Sequence, residues 1–276
     1  MDNRPVGVFD SGSGGLPAAG ALRERLPNEN IIYLGDTGHM PYGGRSKEEL
    51  IAIARRNTDF LKSFSVKAVL VACGTISASL PEVISADAET PVFGVMYPAV
   101  KAALRASKTG RIAVAATERA IASGAFASAI KAERADANVI SAACPKFAPM
   151  TEAGHFSKDD PFVAETVREY LQPVAEFKAD TLILGCTHYS LLKDAIADFL
   201  GPGVQQADAG EAAAEELAKF LRERDMLSAR LEPGRESFYH TGGGPELFAN
   251  FAEIFFKRNI TADLEYIDLP QTRSAL

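Results

Sequence analysis

Short runs of apolar residues alternate along the chain with longer segments that are apolar on one face only. The first run covers residues 6–9 and is followed by Asp10, a glycine-rich turn at 11–15 and a predicted helix at 16–26. Further strands are predicted at 30–34, 68–72, 90–95, 111–115, 139–143 and 181–184, and further helices from Ser46 (with Glu49 completing a capping box), at 117–133 and at 161–178. Strands that alternate with helices indicate parallel sheets with helices on both faces. The predicted fold class is therefore α/β.

The same order of elements occurs twice. The run VLVACGT at 69–75 contains Cys73, and the run LILGCTH at 182–188 contains Cys186. In each half a cysteine ends an apolar strand and is followed by a threonine and a helix. This repetition is consistent with two similar α/β lobes that face each other. Beyond Gly210 we predict a helix at 211–224, a strand near Phe238, a glycine turn at 242–244 and a terminal helix; the spacing leaves open which sheet they extend.

Composition and charge restrict the class of protein. The 276 residues include 29 basic and 36 acidic side chains, for a net charge of −7, and 47% of them are hydrophobic. This is the profile of a globular chain of about two domains. An acidic chain lacks the basic surface that non-specific nucleic-acid binding requires. No apolar run reaches the roughly 18 residues that span a membrane, and no signal peptide is expected. We therefore expect neither a nucleic-acid nor a membrane partner.

The three cysteines do not form a disulfide or zinc framework. Cys73, Cys144 and Cys186 are odd in number and lack CxxC spacing. Free thiols indicate a reducing, cytoplasmic location. Cys144 precedes Pro145 and is assigned to packing.

The glycine-rich turn after the first strand does not match a nucleotide-binding motif. Counting from Gly12, the last position of GxGxxG falls on Pro17, and the P-loop spacing is also absent. Two interpretations stay open: a tight turn between strand and helix, or backbone amides that bind a small carboxylate.

Cys73 and Cys186 are the strongest chemical signal. A single cysteine after an apolar strand is usually a buried filler. Two at equivalent places, however, lie where open α/β sheets bind ligands, beyond the carboxyl ends of strands. A helix that starts just downstream is expected to lower the thiol pKa, so that each cysteine can act as a base or a nucleophile.

His188, two residues after Cys186, allows several chemistries. A zinc site would need further ligands, and a Cys–His hydrolase would need a group that orients the imidazole. The histidine can instead point at a bound acid. Asp10 and Glu152 are carboxylates at predicted loop positions. The remaining histidines are expected at the surface or in loops: His39, His155 and His240.

Six motifs, in order over residues 6–192, resemble those of the glutamate racemase family. They are DSGSGGL at 10–16, LGDT at 34–37, PYG at 41–43, the segment around Cys73, SGA at 123–125 and LGCTHY at 184–189. The resemblance implies cofactor-independent interconversion of L- and D-glutamate, which supplies D-glutamate for bacterial peptidoglycan. It also implies two pseudo-symmetric α/β lobes, 1–97 plus 210–276 and 98–209, with the active site in the cleft between them. No metal is implied.

The resemblance also assigns roles to residues. Cys73 and Cys186 would be the two bases on opposite faces of the substrate α-carbon, with Asp10 assisting Cys73, and His188 and Glu152 assisting Cys186. The substrate carboxylates and ammonium would be held by Ser11, Tyr42, Gly43, Gly74, Thr75, Thr117 and Thr187. Such assistance in deprotonating the cysteine matters because a free thiol, with a pKa of about 8.5, is only a few per cent thiolate at pH 7.

Three positions depart from the family pattern. Gly74 stands where Asn is usual, Ala120 where a second Thr is usual, and Tyr97 where Glu is usual. The first two changes are expected to remove hydrogen-bonding groups from the substrate region. Two alternatives therefore stay open: a related two-cysteine racemase or isomerase for another acidic amino acid, and a non-catalytic binding or regulatory relative. A homodimer and a secondary protein partner are also open.

Overall fold

The computed structural model describes residues 1–79, 89–243 and 245–269. Every strand pairing in it is parallel. The strands are β1 Val6–Asp10, β2 Ile31–Gly35, β3 Ala68–Val71, β4 Val92–Gly94, β5 Arg111–Ala116, β6 Asn138–Ala143, β7 Thr181–Leu184, β8 Gln205–Asp208, β9 Glu236–His240 and β10 Leu264–Tyr266.

Helices connect these strands, which confirms the α/β class. They are α1 Leu16–Arg25, α2 Lys47–Lys62, α3 Gly74–Ser79, α4 Met96–Ala106, α5 Glu118–Ala122, α6 Ala125–Glu133, α7 Phe147–Glu152, α8 Pro161–Phe177, α9 Lys193–Leu200, α10 Ala209–Glu223 and α11 Pro245–Phe256. Short 3-10 helices cover Thr37–His39, Thr187–Leu192 and Thr261–Asp263.

The strands form two sheets. One has six strands in the order β10-β9-β2-β1-β3-β4, and the other has four in the order β6-β5-β7-β8. The C-terminal strands β9 and β10 therefore extend the first sheet, which answers the question that the spacing left open. All strands of the first sheet fall within 1–97 and 210–276, and all strands of the second fall within 98–209. The lobe boundaries themselves stay a prediction.

Both faces of the strands are buried, which explains why they are apolar throughout. In β1, Val8 belongs to one hydrophobic cluster and the next residue, Phe9, to another. In β5, Val114 and Ala115 are likewise divided between two clusters. Successive side chains of a strand point to opposite faces, so both faces are covered. Val8 and Val114 share one cluster, so a common core joins the two sheets.

Local sequence features explain several helix boundaries, including one that was predicted wrongly. Ser46 and Glu49 form the predicted capping box at the start of α2. The single helix predicted at 117–133 is wrong: α5 ends and α6 begins around Gly124, whose φ of +69° is left-handed. Helix α8 ends at Phe177, and the residue that caps it, Lys178, also has a left-handed φ. Helices α4, α7 and α9 and strands β8 and β10 were not predicted, and β10 follows the helix predicted to be terminal. Gly244 of the predicted glycine turn lies outside the described residues.

Candidate active site

Two cysteines follow corresponding strands of the two sheets and line one cavity. Cys73 lies two residues after the end of β3, and Cys186 lies two residues after the end of β7. Both thiols are free and buried. The cavity that they line has a volume of about 320 Å³, and we call it the site cavity. It lies beyond the carboxyl ends of the strands, where open α/β sheets bind ligands.

All twelve residues predicted for the site line this cavity. They are Asp10, Ser11, Tyr42, Gly43, Cys73, Gly74, Thr75, Thr117, Glu152, Cys186, Thr187 and His188. Residues that are far apart in the sequence are therefore brought together by the fold. Their individual roles stay predictions.

Three polar side chains form a chain on the Cys186 side. Nδ1 of His188 lies 3.6 Å from Sγ of Cys186, and Nε2 lies 2.9 Å from Oε1 of Glu152. Burial disfavours the imidazolium, but the hydrogen bonds to Cys186 and Glu152 outweigh it and raise the pKa of His188 well above its ordinary value. His188 can therefore hold a proton between the thiol and the carboxylate.

The imidazole of His188 packs against the glycine-rich turn that follows β1. A Cβ atom at Gly14 would lie 1.9 Å from Cε1 and 2.1 Å from Nδ1 of His188. The turn itself is held by the Tyr33 hydroxyl, which donates to the carbonyl of Gly12 at 2.8 Å. Gly14 thus makes room for a side chain from the other half of the chain, an interpretation of the turn that the sequence did not suggest.

A buried carboxyl group, Asp10, acts on Cys73. Asp10 is 2% exposed, and burial raises its pKa. Burial, and then the negative charge of Asp10, raise the pKa of Cys73 well above its ordinary value. The amides of Ile76 and Thr75 act in the opposite sense but are outweighed. The amides at the start of α3 therefore act on the Cys73 thiol in the expected direction, but burial and Asp10 leave its pKa above the ordinary value rather than below it.

The segments that follow β3 and β7 touch each other at their backbones. The Thr187 hydroxyl donates to the carbonyl of Ala72 at 3.1 Å. A Cβ atom at Gly74 would lie 2.2 Å from the carbonyl oxygen of Gly185 and 3.5 Å from Cα of Cys186. Backbone atoms of the segment after β7 therefore fill the space that a side chain at residue 74 would occupy. The absence of a side chain there creates no space for a substrate group.

Three other predicted binding residues already have hydrogen-bond partners within the protein. The Tyr42 hydroxyl donates to Oδ2 of Asp36 at 2.6 Å, and Oγ1 of Thr75 lies 3.1 Å from Oγ1 of Thr117. The Tyr42 hydroxyl is therefore not a free donor in this arrangement. Asp36 lies in the LGDT motif, although no role was predicted for it from the sequence.

Sequence analysis missed two charged residues of the cavity wall, Glu118 and Arg119. Among the described residues that line the site cavity, Arg119 is the one permanently positive side chain. Their position directly after Thr117 was the available signal.

Ala120 was expected in the substrate region, which is wrong: it is 1% exposed and belongs to the hydrophobic core. Tyr97, on α4, is half exposed and outside the cavity wall.

The other histidines differ in their surroundings. His155 is in a loop and half exposed, as predicted. His39 lies in a 3-10 helix with its Nδ1 2.7 Å from Oδ1 of Asp36. His240 was expected at the surface or in a loop, but it is buried at the end of β9, where its ring contacts that of Tyr266 on β10, with 5.6 Å between the ring centroids.

Neither a candidate metal site nor a candidate membrane span occurs in the described residues. No group of three or more His, Cys, Asp or Glu side chains in 1–79, 89–243 and 245–269 could hold a metal ion. In the same part of the chain, every helix is too short or too polar to cross a membrane.

Comparison with known proteins gives the family. A profile described as Asp/Glu/hydantoin racemase matches residues 20–217. This chain belongs to that racemase family. Its enzyme class is accordingly isomerase, and the resemblance found in the motifs is confirmed.

Similar racemases match over most of their length. The glutamate racemase of Aquifex aeolicus is 45% identical over 226 residues, which are 82% of this chain and 87% of the relative. A solved glutamate racemase isoform from Bacillus anthracis has a TM-score of 0.91 at 35% identity and covers 98% of this chain and 99% of its own. The glutamate racemase of Francisella tularensis, solved with D-glutamate, has a TM-score of 0.86 at 33% identity and covers 99% of this chain and 100% of its own.

Membership in the racemase family decides between two reactions that the residues around Cys186 could support, hydrolysis and racemisation. Cys186, His188 and Glu152 have the order of nucleophile, base and orienting carboxylate that a Cys–His hydrolase needs. A hydrolase of this kind does not need a second thiol in the same cavity, yet Cys73 lies there. Both the second thiol and the family favour racemisation.

Proposed function

We propose that this racemase interconverts L- and D-glutamate with two cysteines as acid and base and without a cofactor. The observation that carries the proposal is that Cys73 and Cys186 line one cavity from the ends of corresponding strands. Support for glutamate comes from the Aquifex relative, which is named for it, and from the Francisella structure, which contains D-glutamate.

The proposed reaction needs one proton transfer on each face of the α-carbon. One thiolate removes the α-proton, and the electron pair of the C–H bond is left on the α-carbon and its carboxylate. The opposite thiol then donates a proton to the other face, which inverts the centre without turning the substrate. The first cysteine ends as a thiol and the second as a thiolate, so the reverse reaction starts from the product state.

The groups around each cysteine support proton transfer. On one side the imidazolium of His188 lies within reach of Cys186 Sγ and is held by Glu152. On the other side Asp10 lines the same cavity as Cys73, and its charge acts on that thiol; we propose that this carboxylate accepts the proton of Cys73 as substrate binds. We propose that Ser11, Gly43 and the hydroxyls and amides at 74, 75, 117 and 187 hold the substrate, with Tyr42 in the adjoining wall.

Charge in the cavity supports a role for Arg119 as well. Asp10, Glu118 and Glu152 place three acidic groups in the wall, while the proposed substrate has two carboxylates and one ammonium. Arg119 is partly buried and supplies positive charge at the same wall. We propose that it attracts a substrate carboxylate into a chain whose net charge is −7.

Exchange in heavy water tests the function. We expect wild-type enzyme to incorporate deuterium at the α-carbon of either enantiomer without added pyridoxal phosphate. Cys73→Ser and Cys186→Ser should each abolish racemisation, whereas Cys144→Ala, at the third buried cysteine, should retain it. Wild-type protein that exchanges neither enantiomer would contradict the catalytic proposal, and a fully active Cys73→Ser or Cys186→Ser variant would contradict the two-base assignment.

A second substrate is considered because Gly74 lacks the side-chain amide that the family pattern contains. A panel of acidic amino acids and hydantoins, followed by circular dichroism, separates this alternative from the first. Turnover confined to glutamate eliminates it. Tight glutamate binding without α-proton exchange would instead indicate the non-catalytic relative.

The wider role follows from the reaction. We propose that the D-glutamate product is used for peptidoglycan synthesis in the cytoplasm. Homodimer formation and a secondary protein partner stay predictions, to be tested by light scattering and by affinity capture.

A further inference from the structure

One wall of the site cavity is a loop between β2 and α2. Residues 40–44 of this loop, which include Tyr42 and Gly43, line the cavity. We call residues 40–44 the loop wall. They are outside regular helix and strand, so no ladder of backbone hydrogen bonds fixes them. Their position depends on contacts made behind the wall.

Asp36 is the centre of those contacts. Its side chain is fully buried, and it accepts hydrogen bonds from Tyr42 at 2.6 Å and from Arg56 at 2.5 Å. Asn57 also donates to the Tyr42 hydroxyl, at 3.1 Å. Tyr42 is thus held from α2 and from Asp36 at once. A buried carboxylate with several donors is a rigid point of attachment.

A residue from the C-terminal part of the chain completes this arrangement. The hydroxyl of Thr241, directly after β9, donates to Oδ1 of Asp36 at 2.7 Å and accepts from the amide of Gly38 at 2.9 Å. The next residue, Gly242, donates its amide to Oγ1 of Thr37 at 3.1 Å, and the Thr37 hydroxyl donates to the carbonyl of Gly242.

The backbones at this contact are packed without space between them. A Cβ atom at Gly38 would lie 2.6 Å from the carbonyl oxygen of Thr241, and one at Gly242 would lie 2.8 Å from Cα of Gly38. Thr241 is itself buried. The C-terminal turn therefore holds the start of the loop through both side-chain and backbone contacts.

We propose that Thr241 is a positioning residue for substrate binding, which acts through Asp36 and Tyr42 to hold the loop wall in place. This inference rests on the proposed function only for the identity of the substrate. Thr241 does not line the site cavity, so its effect must pass through the loop. The C-terminal strands thus contribute to a site built by the rest of the chain.

A purely structural role makes a different prediction. If Thr241 only stabilises the fold, its loss lowers the unfolding temperature but leaves substrate affinity unchanged well below that temperature. If Thr241 positions the loop wall, affinity falls while the chemical step is preserved, because Cys73, Cys186 and His188 make no hydrogen bond with the loop in the described residues.

The test compares Thr241→Val, which has the same shape without the hydroxyl, with Thr241→Ser, which keeps it. Thr261→Val, at an exposed threonine of the same C-terminal region, is the matched control. Loss of one or two hydrogen bonds predicts about a three- to tenfold rise in KM for both glutamate enantiomers in Thr241→Val. We expect kcat within about twofold of wild type, and wild-type KM in Thr241→Ser and Thr261→Val.

Amide hydrogen exchange of peptides covering residues 36–45 provides a measurement that needs no substrate. We expect faster exchange there in Thr241→Val than in wild type, Thr241→Ser or Thr261→Val. Unchanged exchange in this segment, or equal effects of Thr241→Val and Thr241→Ser, would overturn the proposal. Faster exchange with an unchanged KM would also overturn it. If instead the proposed function is wrong, the wild-type enzyme will not turn over glutamate, but the difference in amide exchange between the variants will still be present.

Discussion

His188 is constrained on three sides, by Cys186, by Glu152 and by the backbone of Gly14. The first two contacts decide its charge, and the third decides where its ring can lie. A catalytic imidazole must be placed to within a fraction of an ångström to transfer a proton efficiently. At the scale of single residues, the glycine-rich turn therefore determines where the His188 ring can lie, and with it the proton transfer that we propose for this residue.

Substitution of Gly14 tests that placement. Gly14→Ala would put a methyl group where the His188 ring now lies, and we expect kcat to fall about 100-fold through misplacement of the imidazole. Gly203→Ala is the control, because a Cβ atom there meets nothing within 4 Å. Equal kcat values for the Gly14→Ala variant and wild type, with both variants folded by circular dichroism, would refute the contact.

The charge of His188 predicts a pH dependence. Because its pKa is raised in the folded protein, the resulting stabilisation is fully present below the unfolded value of about 6.5 and is lost as pH rises through the folded pKa. Glu152→Gln removes one cause of the shift. We expect the variant to be less stable than wild type by about 1–3 kcal/mol at pH 6, and the difference to shrink once the pH exceeds the folded pKa of His188, measured by urea unfolding.

The NMR titration of His188 provides the direct measurement. Its midpoint should lie well above 6.5 in wild type and should fall in Glu152→Gln. A midpoint that is the same in both proteins would exclude the carboxylate as a cause.

At the scale of elements, α3 and the 3-10 helix Thr187–Leu192 begin at corresponding ends of β3 and β7. The segments that lead into them meet through Gly74 and Gly185, where no side chain fits. The two strand ends that lead to Cys73 and Cys186 are thus brought together by backbone contact. Gly74 is required for this close approach rather than for flexibility.

Restoring the Asn of the family pattern at position 74 should therefore lower the activity. In Gly74→Asn the new Cβ atom would lie 2.2 Å from a backbone oxygen, so the two strand ends must separate. We expect kcat/KM for glutamate to fall at least about tenfold, with a similar fall in Gly74→Ala, which adds the Cβ atom without the amide. Higher glutamate turnover in Gly74→Asn would show instead that the missing amide limits this enzyme.

At the scale of the whole molecule, a buried ion pair joins distant parts of the chain. Nζ of Lys67 lies 2.6 Å from Oε2 of Glu29 and donates to the carbonyls of Asp2 and Met226. Lys67 is fully buried. The N-terminus, the start of β3 and the segment after α10 are therefore attached at one charged group.

Removal of that charge should weaken the entire fold. Lys67→Met leaves the Glu29 carboxylate buried without its partner, and we expect a loss of about 3–5 kcal/mol in the free energy of unfolding. Lys219→Met, at an exposed lysine of α10, should change it by less than about 0.5 kcal/mol. Denaturant unfolding measures both, and equal stabilities of the two variants would contradict this assignment.

The sequence determined the local chemistry and the order of elements. The apolar runs predicted the strands of both sheets up to β7, since a strand buried on both faces must be apolar throughout. The repeated Cys–Thr pattern predicted equivalent places for Cys73 and Cys186 in two similar lobes, beyond the carboxyl ends of parallel strands, where α/β proteins bind ligands. The capping box at Ser46 was predictable for the same reason, as it depends only on neighbouring residues.

Only the tertiary structure decided how distant residues act on one another. Gly14 meets His188, Gly74 meets Gly185, and Thr241 reaches Asp36, although each pair is far apart in the sequence. The pKa of Cys73 likewise depends on burial and on Asp10, which outweigh the local amides. A sequence pattern records which face of an element is buried, but the space beside a glycine and the charge beside a thiol depend on what another element places there.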